Sequence, residues 1–215
     1  MRFADRREAG RALGVAVAGY APVDPVVAAL PRGGVPVGFE VALALECPLD
    51  VLVVRKIGLP GQPELAIGAV AEGDVSITND EVIAMARVAP AAYESAADRA
   101  RVELADRVER YRDGLDPIDV DGRTLVIVDD GLATGSTARA AIEVSRRRTP
   151  AEVWLAVPVA PRSDLSSMRS LVDRLIVLHQ PRRFIAVGAW YDDFTQTSDA
   201  EVPDLVRRSR GGKLH

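Results

Sequence analysis

Cysteine is nearly absent. A lone Cys47 among 215 residues excludes an internal disulfide and a multi-cysteine zinc cluster. Histidine is almost as scarce, with only His179 and the C-terminal His215, so His-rich metal sites and Ser/His/Asp catalysis have little to draw on. Aromatic residues make up only 5% of the chain. No apolar run approaches the roughly 20 residues that span a bilayer. The first residues, Met1 to Glu8, carry charges where a secretory leader would carry its apolar stretch. A basic excess is missing too: 27 Lys and Arg against 31 Asp and Glu leave a net charge of −4 and a pI near 5.3, unlike dedicated nucleic-acid binders. These absences predict a protein of the reducing cytoplasm, with neither nucleic acid nor membrane as partner.

What is present is ordinary for a globular chain: 48% hydrophobic and 27% charged residues, in a length that suits one well-cored domain spanning 1–215. Short apolar runs alternate with amphipathic stretches, which predicts an α/β fold with a mostly parallel central sheet flanked by helices. Helical spacing covers 5–18, 35–46, 135–148 and 163–171, and Pro90 opens a helix that runs to about Arg112. In that helix Glu103/Arg107 and Asp106/Arg110 are favourable pairs. Strands are predicted at 26–30, 51–54, 125–128, 153–159 and 174–178, with a hairpin of 66–71 and 75–77 around Glu72-Gly73-Asp74. Residues 57–64 hold two Gly and two Pro and read as a loop without regular structure. Thr78 with Glu81, and Ser198 with Glu201, have capping-box spacing. Arg146-Arg147-Arg148 falls where a helix should end and complements its dipole. The basic tail Arg207-Arg208-Ser209-Arg210 and the residues after it read as a frayed terminus.

The segment that carries chemistry is Leu125-Val126-Ile127-Val128-Asp129-Asp130-Gly131-Leu132-Ala133-Thr134-Gly135-Ser136-Thr137. An apolar strand runs into two acids, a Gly/Thr/Ser turn and a helix start. Such a turn offers backbone N–H groups and hydroxyls to a phosphate. It lacks the Gly-Lys-Ser/Thr of a Walker loop and the G-x-G-x-x-G of a dinucleotide fingerprint. Two acids before a phosphate cradle suit a ligand with vicinal hydroxyls beside its phosphate, as in ribose 5-phosphate.

This stretch resembles the PRPP-binding motif of type I phosphoribosyltransferases. The resemblance implies that Asp129 and Asp130 bind the ribose hydroxyls and stabilise the positive charge developing on the ring. Ala133, Thr134, Gly135, Ser136 and Thr137 would hold the 5-phosphate. Leu30-Pro31-Arg32-Gly33-Gly34 is similar to the family's pyrophosphate loop, which implies pyrophosphate contacts from Arg32, Gly33 and Gly34 and a cis bond near Pro31–Arg32. Val53-Val54-Arg55-Lys56 followed by 57–61 is similar to a strand end and mobile loop of adenine phosphoribosyltransferases. Arg55 and Lys56, one or both, would then neutralise pyrophosphate, and residues 57–77 would form a lid.

Residues 184–193 resemble the base-stacking segment of 6-oxopurine phosphoribosyltransferases. By that likeness Phe184 or Ile185 stacks on the acceptor, Val187 offers backbone contacts, Trp190 joins the pocket, and Asp192 or Asp193 serves the metal side. A small hood would comprise the N-terminal helix and about 180–194. The lysine that reads the 6-oxo group is replaced here by Val159 or Ala160, so the acceptor is not legible. The family implies Mg²⁺, PRPP, a nucleobase-like acceptor and a homodimer. A PRPP-sensing regulator and a hydrolase of a phosphoribosyl compound are the alternatives. His179 and Cys47 read as structural.

Overall fold

The computed structural model describes residues 2–73 and 75–211. Five parallel strands form the central sheet in the order β2-β1-β6-β7-β8. They are β1 (Pro25–Ala29), β2 (Leu49–Val51), β6 (Thr124–Val128), β7 (Glu152–Val159) and β8 (Arg174–His179). The inner strands β1, β6 and β7 are near-continuous buried apolar runs, as expected when helices cover both faces of a parallel sheet. Two large apolar clusters lie on either side of it, one including Val27, Val126 and Trp154, the other Val26, Ile127 and Leu155.

A separate antiparallel sheet is built from β3 (Val54–Leu59), β4 (Gln62–Ala71) and β5 (Val75–Thr78). The helices are α1 (Arg6–Ala18), α2 (Gly34–Leu45), α3 (Asp80–Ala86), α4 (Pro90–Arg112), α5 (Ser136–Arg146), α6 (Leu165–Arg169) and α7 (Glu201–Gly211). Strand order reverses between β1 and β6: the chain leaves β1 toward β2 and returns on the other side. Loops that follow strands flanking such a reversal open into a crevice where α/β proteins bind ligands. Here those loops are Leu30–Gly33 and Asp129–Gly135.

Several elements differ from the sequence expectations. The central sheet is wholly parallel among the described residues, and the antiparallel pairing stands apart from it. Residues 57–64 are no loop: they are the ends of β3 and β4 around a turn in which Gly61 has φ +84°. The glycines and prolines that suggested irregularity sit at that turn and at register shifts flanking Gly58. Residues 51–54 are not one strand, since β2 ends at Val51 and β3 begins at Val54 in the other sheet. The cap of α3 is Asn79, whose Oδ1 accepts from Val82 N at 3.2 Å, while Thr78 belongs to β5. Ser198 does cap α7, its Oγ accepting from Glu201 N at 3.2 Å. Asp106 and Arg110 pair at 2.7 Å, but Glu103 pairs with Arg55 of β3 rather than with Arg107. The helix expected over 163–171 is shorter, a 3-10 turn at Arg162–Asp164 followed by α6. Of the expected hairpin turn, Asp74 lies outside the described residues, as do 212–215 of the tail.

Arg207–Arg210 are not frayed, because they form the last turns of α7 and clasp the edge strand β2. Ser209 Oγ accepts from Leu49 N at 3.0 Å, and Arg210 Nε donates to Leu49 O at 3.2 Å. These bonds satisfy backbone groups that an edge strand otherwise leaves open. At the same place Asp50 is 3% exposed. Arg112, at the end of α4, donates to it through Nε at 2.9 Å and Nη2 at 3.1 Å. Arg210 Nη2 lies 2.6 Å from Asp50 Oδ1 as an ion pair without hydrogen-bond alignment. Val51 N and Ile118 N also donate to Asp50 at 2.8 and 3.0 Å, and Glu72 completes the cluster by pairing with Arg112. One buried carboxylate thus ties β2, α4, α7 and the β4–β5 turn. Removing one partner of a buried pair leaves the other charge unpaired and costs about 3–5 kcal/mol. Asp50→Ala is therefore expected to lose that much in urea denaturation, and a loss below about 1 kcal/mol would contradict this role.

Candidate active site

Parallel pairing of β1 with β6 sets Ala29 opposite Val128, so the loops that follow both strands begin level. Leu30 N donates to Val128 O at 2.9 Å, carrying the contact one residue past the strands. The Pro31–Arg32 peptide is cis, as the resemblance implied. Gly33 and Gly34 then pass directly over the acids. A Cβ at Gly33 would lie 2.0 Å from Asp130 Oδ2, and one at Gly34 would lie 2.7 Å from Val128 O. Neither position has room for a side chain, so these glycines answer to a close approach rather than to a turn.

Asp129 and Asp130 are neighbours withdrawn from water. Asp129 Oδ1 accepts from the Asp130 N–H at 2.8 Å. Burial, and then the adjacent Asp130 charge, push the Asp129 carboxyl well above its ordinary range. Burial also raises Asp130, but the Arg6 guanidinium opposes that rise. Arg6 Nε donates to Asp130 Oδ2 at 2.8 Å, and Nη1 donates to Thr195 O at 2.8 Å. The hydroxyl of Tyr191 donates to Asp130 O at 2.6 Å, and Tyr191 is 1% exposed.

Past the acids, Gly131 is confined by Val187 and Val159, whose methyls would lie 2.7 and 2.9 Å from an added Cβ. Gly135 takes φ +67° and caps α5 without a side-chain bond, beside exposed Ala133, Thr134 and Thr137, and Ser136 N donates to Thr134 Oγ1 at 3.5 Å. Thr134 Oγ1 and Ser136 Oγ are 3.0 Å apart. A helix N-terminus carrying hydroxyls is a ready anion site. Lys56 of β3 reaches it, its Nζ donating to Ser136 Oγ at 2.5 Å. Arg55, one residue earlier on the strand, faces the other way and pairs with Glu103 of α4. Arg32 lies beside the C-terminal segment, its Nη1 3.4 Å from Asp199 Oδ1. Asp199 also accepts from Arg110 Nη1 at 3.3 Å and from Tyr111 OH at 3.1 Å.

The structure thus gathers Asp129, Asp130, Gly33, Gly34, the 133–137 loop, Lys56 and Val187 around one crevice. Arg55 is turned away from it. Ile185 is 92% exposed, and Phe184 is half-buried and makes no aromatic pair among the described residues. Trp190 stacks on His179 with ring centres 6.3 Å apart, and His179 also meets Phe3 at 5.0 Å, which makes His179 a packing residue. Asp192 pairs with Arg2 at 3.2 Å. Asp193 accepts from Thr195 N and Oγ1 at 2.8 and 2.6 Å. The hood differs in make-up from the expectation. Helix α1 packs mainly along α2, and it is residues 2–6 that meet the 187–195 stretch, with Phe3 N donating to Trp190 O at 2.9 Å. Arg6, Tyr191 and Asp199 escaped the sequence reading. A cation in the first turn of a helix, opposed by the dipole, was the one available signal.

Two adjacent carboxyls drawn partly out of water cost stability. A carboxyl held above its unfolded value stabilises the fold only while protonated, and that contribution is lost as pH rises through the folded value. The ligand-free protein is expected to lose stability across that window, and Asp129→Asn to flatten the slope and raise Tm at neutral pH. Each kcal/mol of relief would appear as about 2–4 °C. Thermal unfolding as a function of pH checks this, and an Asn variant no more stable than the parent at neutral pH would contradict it.

Comparison with known proteins agrees with this architecture. The family model described as phosphoribosyl transferase domain matches residues 15–188. Two proteins of Mycobacterium tuberculosis, from strains CDC 1551 and H37Rv, each named "Putative phosphoribosyl transferase", are 47% identical over 207 residues. That alignment takes in 96% of this chain and 47% of theirs, so the chain spans about half the length of these relatives. The crystal structure of TT1426 from Thermus thermophilus superimposes with a TM-score of 0.86 at 42% identity, covering 96% of this chain and 98% of that one. The AQ2163 protein from Aquifex aeolicus shares the fold at 12% identity and a TM-score of 0.52, over 94% of this chain and 84% of its own. On the family match and the identity to these relatives, the chain belongs to the phosphoribosyl transferase domain family.

Proposed function

We propose that this site moves a 5-phosphoribosyl group from Mg²⁺-bound PRPP to an acceptor nitrogen of a nucleobase-like compound, releasing pyrophosphate. One observation carries the reading: two half-buried carboxylates lie between a glycine loop and a helix N-terminus, which matches the order of pyrophosphate, diol and 5-phosphate along PRPP. The 5-phosphate would take the N–H groups and hydroxyls of 134–137. Asp129 and Asp130 would accept the ribose hydroxyls. Arg32, the 33–34 amides and Lys56 would face the pyrophosphate.

As the bond from C1 to the pyrophosphate oxygen breaks and the bond from C1 to the acceptor nitrogen forms, positive charge develops on the ring. Fixed anions beneath the ribose and cations at the leaving group are the groups that lower such a barrier. Lys56 sits on β3, and the β3–β4–β5 sheet would act as the lid that keeps water from the reacting carbon. Among the described residues no cluster of three or more His, Cys, Asp or Glu forms a cage for a metal. Magnesium nonetheless fits beside hard carboxylate oxygens of this kind with few protein ligands, and the substrate's own oxygens and water would hold most of it. When bound it would offset the pyrophosphate's charge. We extend the reading, by family resemblance, to a homodimer working in the cytoplasm.

Pyrophosphate release from PRPP, measured across a wide acceptor panel, tests the proposal. Asp130→Asn and Thr137→Ala are each expected to slow release by about 10²-fold or more, and near-normal rates in both would sink it. PRPP binding with no release on any acceptor would indicate a sensor, and ribose 5-phosphate formed without acceptor a hydrolase. Asp199→Asn frees Arg32 from its carboxylate and is expected to tighten inorganic pyrophosphate binding about two- to fivefold. Unchanged affinity in calorimetry would remove Arg32 from the pyrophosphate site.

A further inference from the structure

Arg6 opens α1, where a cation is opposed by the helix dipole, yet its side chain is only 10% exposed. Helix stability does not account for it. Its contacts lie far away in sequence: Asp130 Oδ2 at 2.8 Å, Thr195 O at 2.8 Å, and the Phe194 ring, whose centre lies 3.8 Å from the guanidinium carbon. Two hydrogen bonds and an aromatic face fix the plane of the guanidinium. The carboxylate it holds is equally confined. Gly33 leaves no space on the other side of Oδ2, where a Cβ would come within 2.0 Å, and Tyr191 anchors the Asp130 carbonyl at 2.6 Å. Asp130 Oδ2 is therefore committed, and Oδ1 is the oxygen left to a ligand.

Among the described residues, Arg6 is the one cation within hydrogen-bonding distance of either acid. Two adjacent carboxylates out of water repel each other, and a fixed cation offsets that repulsion. Resting on the phosphoribosyl reading, we propose that Arg6 is a positioning residue of the reaction: it clamps Asp130 as a charged acceptor whose Oδ1 is aimed at a ribose hydroxyl. It acts through Asp130 and does not itself touch the substrate. The N-terminal segment thereby reaches Asp130 itself through a single side chain.

PRPP binding by calorimetry to the parent, Arg6→Gln, Arg6→Ala and Arg6→Lys provides the test. Arg6→Gln and Arg6→Ala are expected to weaken binding about tenfold or more, the worth of a hydrogen bond to a charged group. Arg6→Lys should restore part of the loss, and so should ethylguanidinium added to Arg6→Ala, because both return a cation to Asp130. Packing alone would give neither rescue. Variants that bind within about twofold of the parent, or a loss that neither rescue reverses, would overturn the clamp while leaving the phosphoribosyl reading intact. A parent that fails to bind PRPP would overturn that reading and the clamp with it.

Discussion

The site depends on how closely two loops pass. Strands β1 and β6 pair in register up to Ala29 and Val128, and the chain beyond β1 crosses the acids beyond β6 at a distance that leaves no room for a Cβ at 33 or 34. A parallel sheet fixes the height of its strand ends, and the reversal of strand order between β1 and β6 opens the crevice above them. Glycine at two positions then allows one loop to rest on the other. A side chain at either would separate the acids from the loop that follows β1, leaving two half-sites.

Charge follows from that closeness. Two carboxylates are held where water is scarce, and the protein answers with Arg6 at 2.8 Å from Asp130. On the other side of the crevice Arg32 is met by Asp199 at 3.4 Å. Without ligand, the acids and the nearest cation of the glycine loop are each balanced by a counter-ion drawn from near one end of the chain. A polyanionic ligand would displace Asp199 from Arg32 and take its place, while Arg6 would keep its hold on Asp130, and such an exchange suits reversible binding better than a permanently exposed charge would. The Asp50–Arg112 cluster does a different job. It lies on the edge strand β2, beside β1, and by joining β2, α4, α7 and the β4–β5 turn it holds the antiparallel sheet that carries Lys56.

Much of this was legible in the sequence where the information is contiguous. The stretch 125–137 contains its strand, its acids, its turn and its helix start in order, so fold class and a candidate site could be read together. The glycine loop was legible for the same reason. What escaped depends on residues far apart in the chain. Arg6 meets Asp130 across 124 positions and Asp199 meets Arg32 across 167, and no local pattern encodes either. Arg55 and Lys56 were inseparable as a pair until strand alternation sent one to Glu103 and the other to Ser136. The 57–64 segment misled because glycine and proline mark a tight hairpin turn as readily as an irregular loop. In the 184–193 stretch, which resembles a base-stacking segment, the most buried aromatic, Tyr191, donates to the Asp130 carbonyl instead.

We propose the Asp129–Asp130 pair and the loops around it as the binding site for a phosphorylated ribose with a pyrophosphate leaving group. Calorimetry of PRPP binding with and without Mg²⁺, on the parent and on an Asp129→Asn/Asp130→Asn double variant, tests it most directly. Mg²⁺-dependent binding is expected in the parent and its loss in the variant, with both proteins folded. A folded parent that does not bind PRPP, or a double variant that binds it as well as the parent, would contradict it.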